Sequence, residues 1–258
     1  MRLDAEETGD GPALVLLHGF TGNRSTWEPL RRTLASRWRV ITVDLPGHGG
    51  SPLPDGGLLA LSDALVAVLD RFGVPSAHWL GYSLGARAAL HVALVHPKRV
   101  ERLVLESTSA GIADTAARAA RADADAALAE AITRDGVAAF AARWVAQPLF
   151  ASQCRLPAGI RDREHAIRCG NSAAGLAAAL RAFGPGTQTS LWHRLGEIRT
   201  PTLLIAGEHD APYRAHADAM AARLPDGSVA VVPDAGHAVH LENPTRFTAT
   251  VAAFLSAT

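Results

Sequence analysis

The chain has 258 residues, 48% of them hydrophobic and 19% charged, which suits one large globular domain with a subdomain inserted in a loop and argues against any long disordered span. Its 25 Lys and Arg balance 25 Asp and Glu, so no net field draws it to nucleic acid or to an anionic membrane, and any attraction for acidic ligands must be local. The opening MRLDAEETGDGPALVLLHG sets acidic residues before an apolar run too short for a signal-peptide core or a membrane span, so a cytoplasmic protein is expected. Cys154 and Cys169 lack metal-ligand spacing and read as packing residues.

Along the chain, short apolar runs alternate with segments of helical spacing. The strand ALVLLHG begins at residue 13 and is followed by the helix TWEPLRRTLA; WRVITVD at 38 by LLALSDALVAVLDRF; and AHWLGY at 77 by SLGARAALHVALVH. After RLVLES at 102 the alternation stops. Residues 112–195 hold Ala-rich helical segments, TAARAARADADAALAEAI and GVAAFAARWVAQ among them, and no convincing strand. It resumes with TLLIAGE at 202, RAHADAMAARL, VAVVPDAG at 229 and NPTRFTATVAAFLS. Continuous apolar strands separated by helices predict an α/β fold, with a mostly parallel sheet buried on both faces by flanking helices. Residues 1–111 and 196–258 are then the core. Residues 112–195 are an inserted helical cap over the carboxyl ends of the strands, where open α/β sheets bind ligands.

One short stretch carries the chemistry. Gly81-Tyr82-Ser83-Leu84-Gly85 lies between a strand and a helix, the setting of a nucleophile elbow. A serine hydroxyl is a poor nucleophile or base at neutral pH unless an imidazole takes its proton and a carboxylate orients that imidazole. In this fold the acid and the histidine should follow the serine in that order. The strand TLLIA runs into Gly207-Glu208-His209-Asp210, and VAVVP runs into Asp234-Ala235-Gly236-His237, so Asp210 is the expected acid and His237 the expected base. Glu106, ending the strand after the elbow helix, is the alternative acid. His240 reads as a surface or supporting group, and Asp44 and His48 in DLPGHGGS as organisers of a tight loop near the site. His91, His96, His193 and His216 carry no expected role. The turn His18-Gly19-Phe20 can aim the Phe20 N–H at the same point as the Leu84 N–H, a two-donor oxyanion hole. No phosphate loop, zinc spacing or dinucleotide fingerprint is present, so neither a cofactor nor a metal is expected.

Taken together, LLHGFTGNRSTW, DLPGHGGS, GYSLGAR, GEHD and DAGHAVHLENP resemble the α/β-hydrolase superfamily over essentially the whole chain. More narrowly, GYSLGAR with LESTSAGI, RWVAQPLFAS and IRCGNSAAGLAAAL resembles the 2-succinyl-6-hydroxy-2,4-cyclohexadiene-1-carboxylate synthases of menaquinone biosynthesis. That resemblance implies a lyase that uses the hydrolase triad to remove pyruvate from an enolpyruvyl cyclohexene precursor. It also implies substrate-binding roles for Tyr82, Arg87, Arg121, Trp144 and Arg168. Two positions depart from the pattern or blur it: Ala86 stands where many members have a second glycine, and Arg118 competes with Arg121 for the same cap position.

The residue chemistry agrees with the narrower resemblance. Arg87 is four residues after Ser83, on the same helix face, and a buried guanidinium is costly without an acceptor. A small polycarboxylate substrate would supply acceptors to Arg87, Arg121 and Arg168 through charge-assisted hydrogen bonds. The alternatives are structural: Arg87 paired with Glu106 or Asp44, Arg121 and Arg168 solvated, Tyr82 and Trp144 simple core or pocket wall, Phe150 cap packing. Two other functions remain open at this level, a serine ester or thioester hydrolase and a ligand-binding protein that keeps the fold without catalysis.

Overall fold

The computed structural model describes residues 1–257. Seven strands form one sheet: β1 (Ala5–Thr8), β2 (Ala13–Leu17), β3 (Arg39–Val43), β4 (Ala77–Tyr82), β5 (Val100–Glu106), β6 (Thr202–Gly207) and β7 (Gly227–Val232). Their spatial order is β1-β3-β2-β4-β5-β6-β7. All neighbours are parallel except β1, which runs antiparallel to β3 at the edge. The sequence pattern finds six of these strands and misses β1. AEET has no apolar run to mark it, because an edge strand with exposed side chains needs none.

Alternation along each central strand divides the core in two. Val15 and Leu17 of β2, with Trp79 of β4 and Leu103 and Leu105 of β5, pack into one cluster beneath α2 (Leu58–Arg71) and α3 (Leu84–Val95). Leu14, Leu16, Leu80 and Val104 point the other way. They meet Trp27, Leu30 and Phe247 from the side of α1 (Glu28–Ala35) and α9 (Pro244–Leu255). Each fully buried Leu or Val contributes about 1.5–3 kcal/mol, so burial on both faces fixes strand register: a slip by one residue would swap the two faces. Helix α7 (Ala211–Ala221) follows β6, and the short α8 (Val239–Glu242) precedes α9.

Between β5 and β6 the chain makes helices and no strand among the described residues: α4 (Thr115–Val145), α5 (Ala158–Cys169) and α6 (Ala173–Phe183). The two Ala-rich segments join into α4 with a kink at Gly136, whose φ of 80° is left-handed backbone that glycine adopts without a Cβ clash. This layer has its own small core of Ile132, Phe140, Leu176 and Leu180, with Phe20 and Trp144 at its border. Asn171 pins it to the sheet. Its Nδ2–H donates to Thr21 O at 2.9 Å, and its Oδ1 accepts from Gly49 N–H at 3.1 Å. Cys154 is exposed and Cys169 only half-buried, so the packing role expected for Cys154 does not hold.

Candidate active site

Ser83 is the single residue between β4 and α3, and its φ of 51° and ψ of −105° place it in a strained conformation for a residue with a side chain. Three hydrogen bonds hold it there. Its N–H donates to Glu106 O at 2.9 Å, and its carbonyl accepts from Arg87 N–H at 3.1 Å and Thr108 Oγ1–H at 3.3 Å. The flanking glycines are steric requirements. A Cβ on Gly81 would strike the backbone of Gly85 and Ala86, and one on Gly85 would strike the Leu17 carbonyl of β2. Ala86, the departure from the family pattern, is buried, and its methyl joins the α2–α3 core. The other three residues with positive φ that are not glycine, Thr21, Ser107 and Asp234, also lie in loops beyond carboxyl ends of strands. Backbone strain is thus gathered at one edge of the sheet, as at sites where geometry is over-determined.

Asp210 follows β6 and His237 follows β7, and the parallel pairing of these strands brings the two loops together. His237 Nδ1 lies 2.7 Å from Asp210 Oδ2, both groups buried. A carboxylate only accepts, so Nδ1 carries the proton and Nε2 is left free to take one. Asp234 N–H donates to Glu208 Oε2 at 3.1 Å, a second tie between the same loops. Ser83 and His237 line one cavity of about 210 Å³, together with Phe20 and Leu84. Among the described residues neither the Phe20 nor the Leu84 N–H is taken by another protein group. Such free donors beside a serine can stabilise a developing oxyanion. His18 and His48 brace this wall. The His18 ring donates from Nδ1 to Gly19 O and accepts Leu45 N–H, while His48 donates to Pro46 O and accepts Thr21 N–H. Asp44 accepts from the N–H groups of Arg24 and Gly50, which makes it the loop organiser that the sequence suggests.

The cavity also holds cations. Arg87, 8% exposed, lines it without pairing to Glu106 or Asp44; Nη1 instead donates to the neutral Gln188 Oε1 at 3.0 Å. Burial pushes its pKa down to about 10, which leaves it charged at neutral pH. Arg121 lines the same cavity, bonded to Asp125 at 2.7 Å, with its side chain 45% exposed. Arg118 is not among the lining residues and donates to Ile112 O, so of these two α4 arginines it is Arg121 that lines the cavity with Ser83.

Arg168 stands apart. It is buried, yet it lines a second chamber of about 30 Å³ behind Phe20, Tyr82, Trp144 and Phe150, which form the partition between the two spaces. Four buried polar atoms without protein partners belong to residues around this chamber: Arg168 Nε, Gln153 Nε2, Thr26 Oγ1 and His240 Nε2. His240 is buried, so the surface reading of it fails. Its Nδ1–H donates to Glu106 Oε1 at 2.8 Å, its ring packs edge-on to Tyr82 at 4.7 Å, and Glu106 is thereby committed to His240 instead of His237. Phe150 does more than pack the cap, since it lines the cavity and meets His237 at 5.9 Å.

Tyr213, His216 and Gln188 are among the lining residues to which the sequence reading gives no role. Tyr213 packs its ring 4.5 Å from His237, and its hydroxyl pKa is raised, chiefly by burial. Its position three residues after Asp210 was the only signal. His216 lines the cavity one helical turn later, although no role was expected for it. Gln188 sits in a loop and carries no motif.

A family model described as alpha/beta hydrolase fold matches residues 12–244. The chain belongs to the α/β-hydrolase fold family. Within that family it is 41% identical over 249 residues to a Bacillus subtilis (strain 168) protein provisionally named 2-succinyl-6-hydroxy-2,4-cyclohexadiene-1-carboxylate synthase, covering 95% of this chain and 90% of that one. It is 35% identical to the Klebsiella pneumoniae (strain 342) protein of the same name, over 95% of this chain and 94% of that one. Among solved structures, this α/β-hydrolase superposes on MenH from S. aureus with a TM-score of 0.93 at 33% identity, over 98% of this chain and 97% of that one.

Proposed function

We propose that the protein is a carbon–oxygen lyase that eliminates pyruvate from 2-succinyl-5-enolpyruvyl-6-hydroxy-3-cyclohexene-1-carboxylate, giving 2-succinyl-6-hydroxy-2,4-cyclohexadiene-1-carboxylate. The names of its relatives support this reaction. The observation that carries it for this chain is Arg87: a buried guanidinium one helical turn from Ser83, facing the same cavity and bonded to a neutral amide, calls for an anionic ligand.

In this reading residues 112–195 form the cap, and Arg87 and Arg121 hold substrate carboxylates while Tyr82 and Trp144 shape the wall between them and the Arg168 chamber. His237, oriented by Asp210, takes the Ser83 proton. The Ser83 oxygen then removes the proton from ring carbon 2, alpha to the succinyl ketone. Electrons from that C–H bond make the C2–C3 double bond, the C3–C4 double bond moves to C4–C5, and the C5–oxygen bond breaks. Pyruvate leaves as its enolate and is reprotonated. Negative charge that gathers on the ketone oxygen along the way is met by the Phe20 and Leu84 N–H groups. Ser83 acts as a base, and no acyl-enzyme forms.

The test supplies the enolpyruvyl substrate and follows pyruvate. Release well above a Ser83→Ala control supports the lyase, and equal rates remove it. One feature favours a second reading. Trp144, Leu149, Phe150 and Phe183 give the cavity an apolar wall that would suit the acyl group of a neutral ester. A serine ester hydrolase should turn over neutral aryl esters well and be indifferent to Arg87→Ala.

A further inference from the structure

Gln188 is a buried polar residue on an exposed loop. It lies between α6 and β6, 3% exposed, with exposed Thr187 and Thr189 on either side. Its only side-chain partner among the described residues is Arg87, whose Nη1 donates to its Oε1 at 3.0 Å. A guanidinium can only donate, so the carboxamide has one orientation: oxygen toward Arg87, Nε2 turned away from it. That Nε2 is enclosed by protein, while the side chain as a whole stands between the cavity of Ser83 and His237 and an outer pocket beside His91. Gly111 leaves it room, since a Cβ there would press on Gln188 Nε2 at 3.2 Å.

The partner's neutrality matters as much as its geometry. A carboxylate at this position would bind Arg87 more tightly and cancel its charge. The amide fixes the guanidinium while leaving the full positive charge for a ligand.

We infer that Gln188 is a positioning residue that acts through Arg87: its carboxamide oxygen orients the guanidinium without neutralising it, so that the full charge is offered to a carboxylate of the substrate. The identity of that substrate rests on the lyase reading; the anion site made by Arg87 and held by Gln188 does not.

The experiment compares the wild-type enzyme with Gln188→Glu and the near-isosteric Gln188→Met, each checked for a cooperative thermal transition. Two readouts are taken: succinate binding by calorimetry, and steady-state pyruvate release. Glutamate should raise KM by about tenfold or more, the worth of one charge-assisted hydrogen bond, with kcat held within a few-fold, and weaken succinate binding to match. Methionine should move both readouts in the same direction by a smaller factor. Unchanged KM and succinate affinity in either folded variant overturn the inference, as does a fall confined to kcat or a wild-type enzyme that ignores succinate. A wild-type enzyme whose succinate binding depends on Gln188 but which releases no pyruvate would sink the lyase reading and leave the anion site standing.

Discussion

His237 Nδ1 donates to Asp210 Oδ2 across 2.7 Å, with both side chains buried at the carboxyl edge of the sheet. This bond decides the tautomer of the ring. With the proton held on Nδ1, the other nitrogen is available to the serine side; with an amide in place of the carboxylate the wrong tautomer competes. Asp210→Asn should therefore lower kcat by roughly 10³–10⁴-fold with the fold intact. Pyruvate release alongside a thermal melt measures both.

Glu106 offers the contrasting case. Its carboxylate accepts from the backbone N–H and the ring of His240, and its own carbonyl accepts from Ser83 N–H. Glu106→Ala leaves the buried ring and backbone N–H groups of His240 without their acceptor and should cost about 1–3 kcal/mol of stability for each donor left unsatisfied. Denaturant unfolding should report that loss, while Ser83 should still be labelled by a serine-directed phosphonate. A Glu106 variant as stable as the parent but unreactive at Ser83 would instead make Glu106 the catalytic acid.

The cavity arginines differ in environment and should differ in weight. Arg87→Ala removes a buried cation and should raise KM for the polycarboxylate by about tenfold to a hundredfold, with smaller effect on kcat. Arg121 is nearly half exposed and already paired with Asp125, so Arg121→Ala should cost only a few-fold. Equal effects from the two substitutions would contradict this ranking.

Acid sensitivity should come from the loops beneath the oxyanion donors. Burial lowers the pKa of His18 to about 4 and, with the neighbouring His18 ring adding to it, that of His48 to about 3. Unfolded, both take up protons near 6.5. Between these limits the unfolded chain binds more protons than the folded one, so the stability is fully present above pH 6.5 and is lost as pH falls toward 4 and then 3. At about 1.4 kcal/mol per unit, the two rings together make a fall of several kcal/mol. Thermal melts from pH 7 to 4.5 should trace that fall, and His48→Gln should flatten it. A midpoint that stays level over this range would mean the rings are not held neutral.

Much of this protein is legible in the order of its residues because hydrophobic alternation and turn chemistry are local. The six apolar strands, the elbow glycines and the strand-end placement of Ser83, Asp210 and His237 all follow from spacing that a continuous chain must obey. β1 is not legible, since an exposed edge strand has no apolar signature, and only pairing with β3 defines it.

The partners of the charged residues are a different matter. Arg87 stands four residues from Ser83 in the sequence, but that its acceptor is Gln188, a hundred and one positions away, follows only from how the loop after α6 returns over α3. Sequence chemistry groups Arg168 with Arg87 and Arg121, whereas the packing of Phe20, Tyr82, Trp144 and Phe150 puts it behind a wall. His240 reads from the sequence as a surface or supporting group, and the Glu106 carboxylate that β5 brings to its ring decides for the second. The chain alone determined which chemistry is present, because backbone turns and strand ends are set within a few residues. Which polar group meets which was decided by tertiary packing, since a buried charge takes its partner from whatever the fold brings within hydrogen-bond reach.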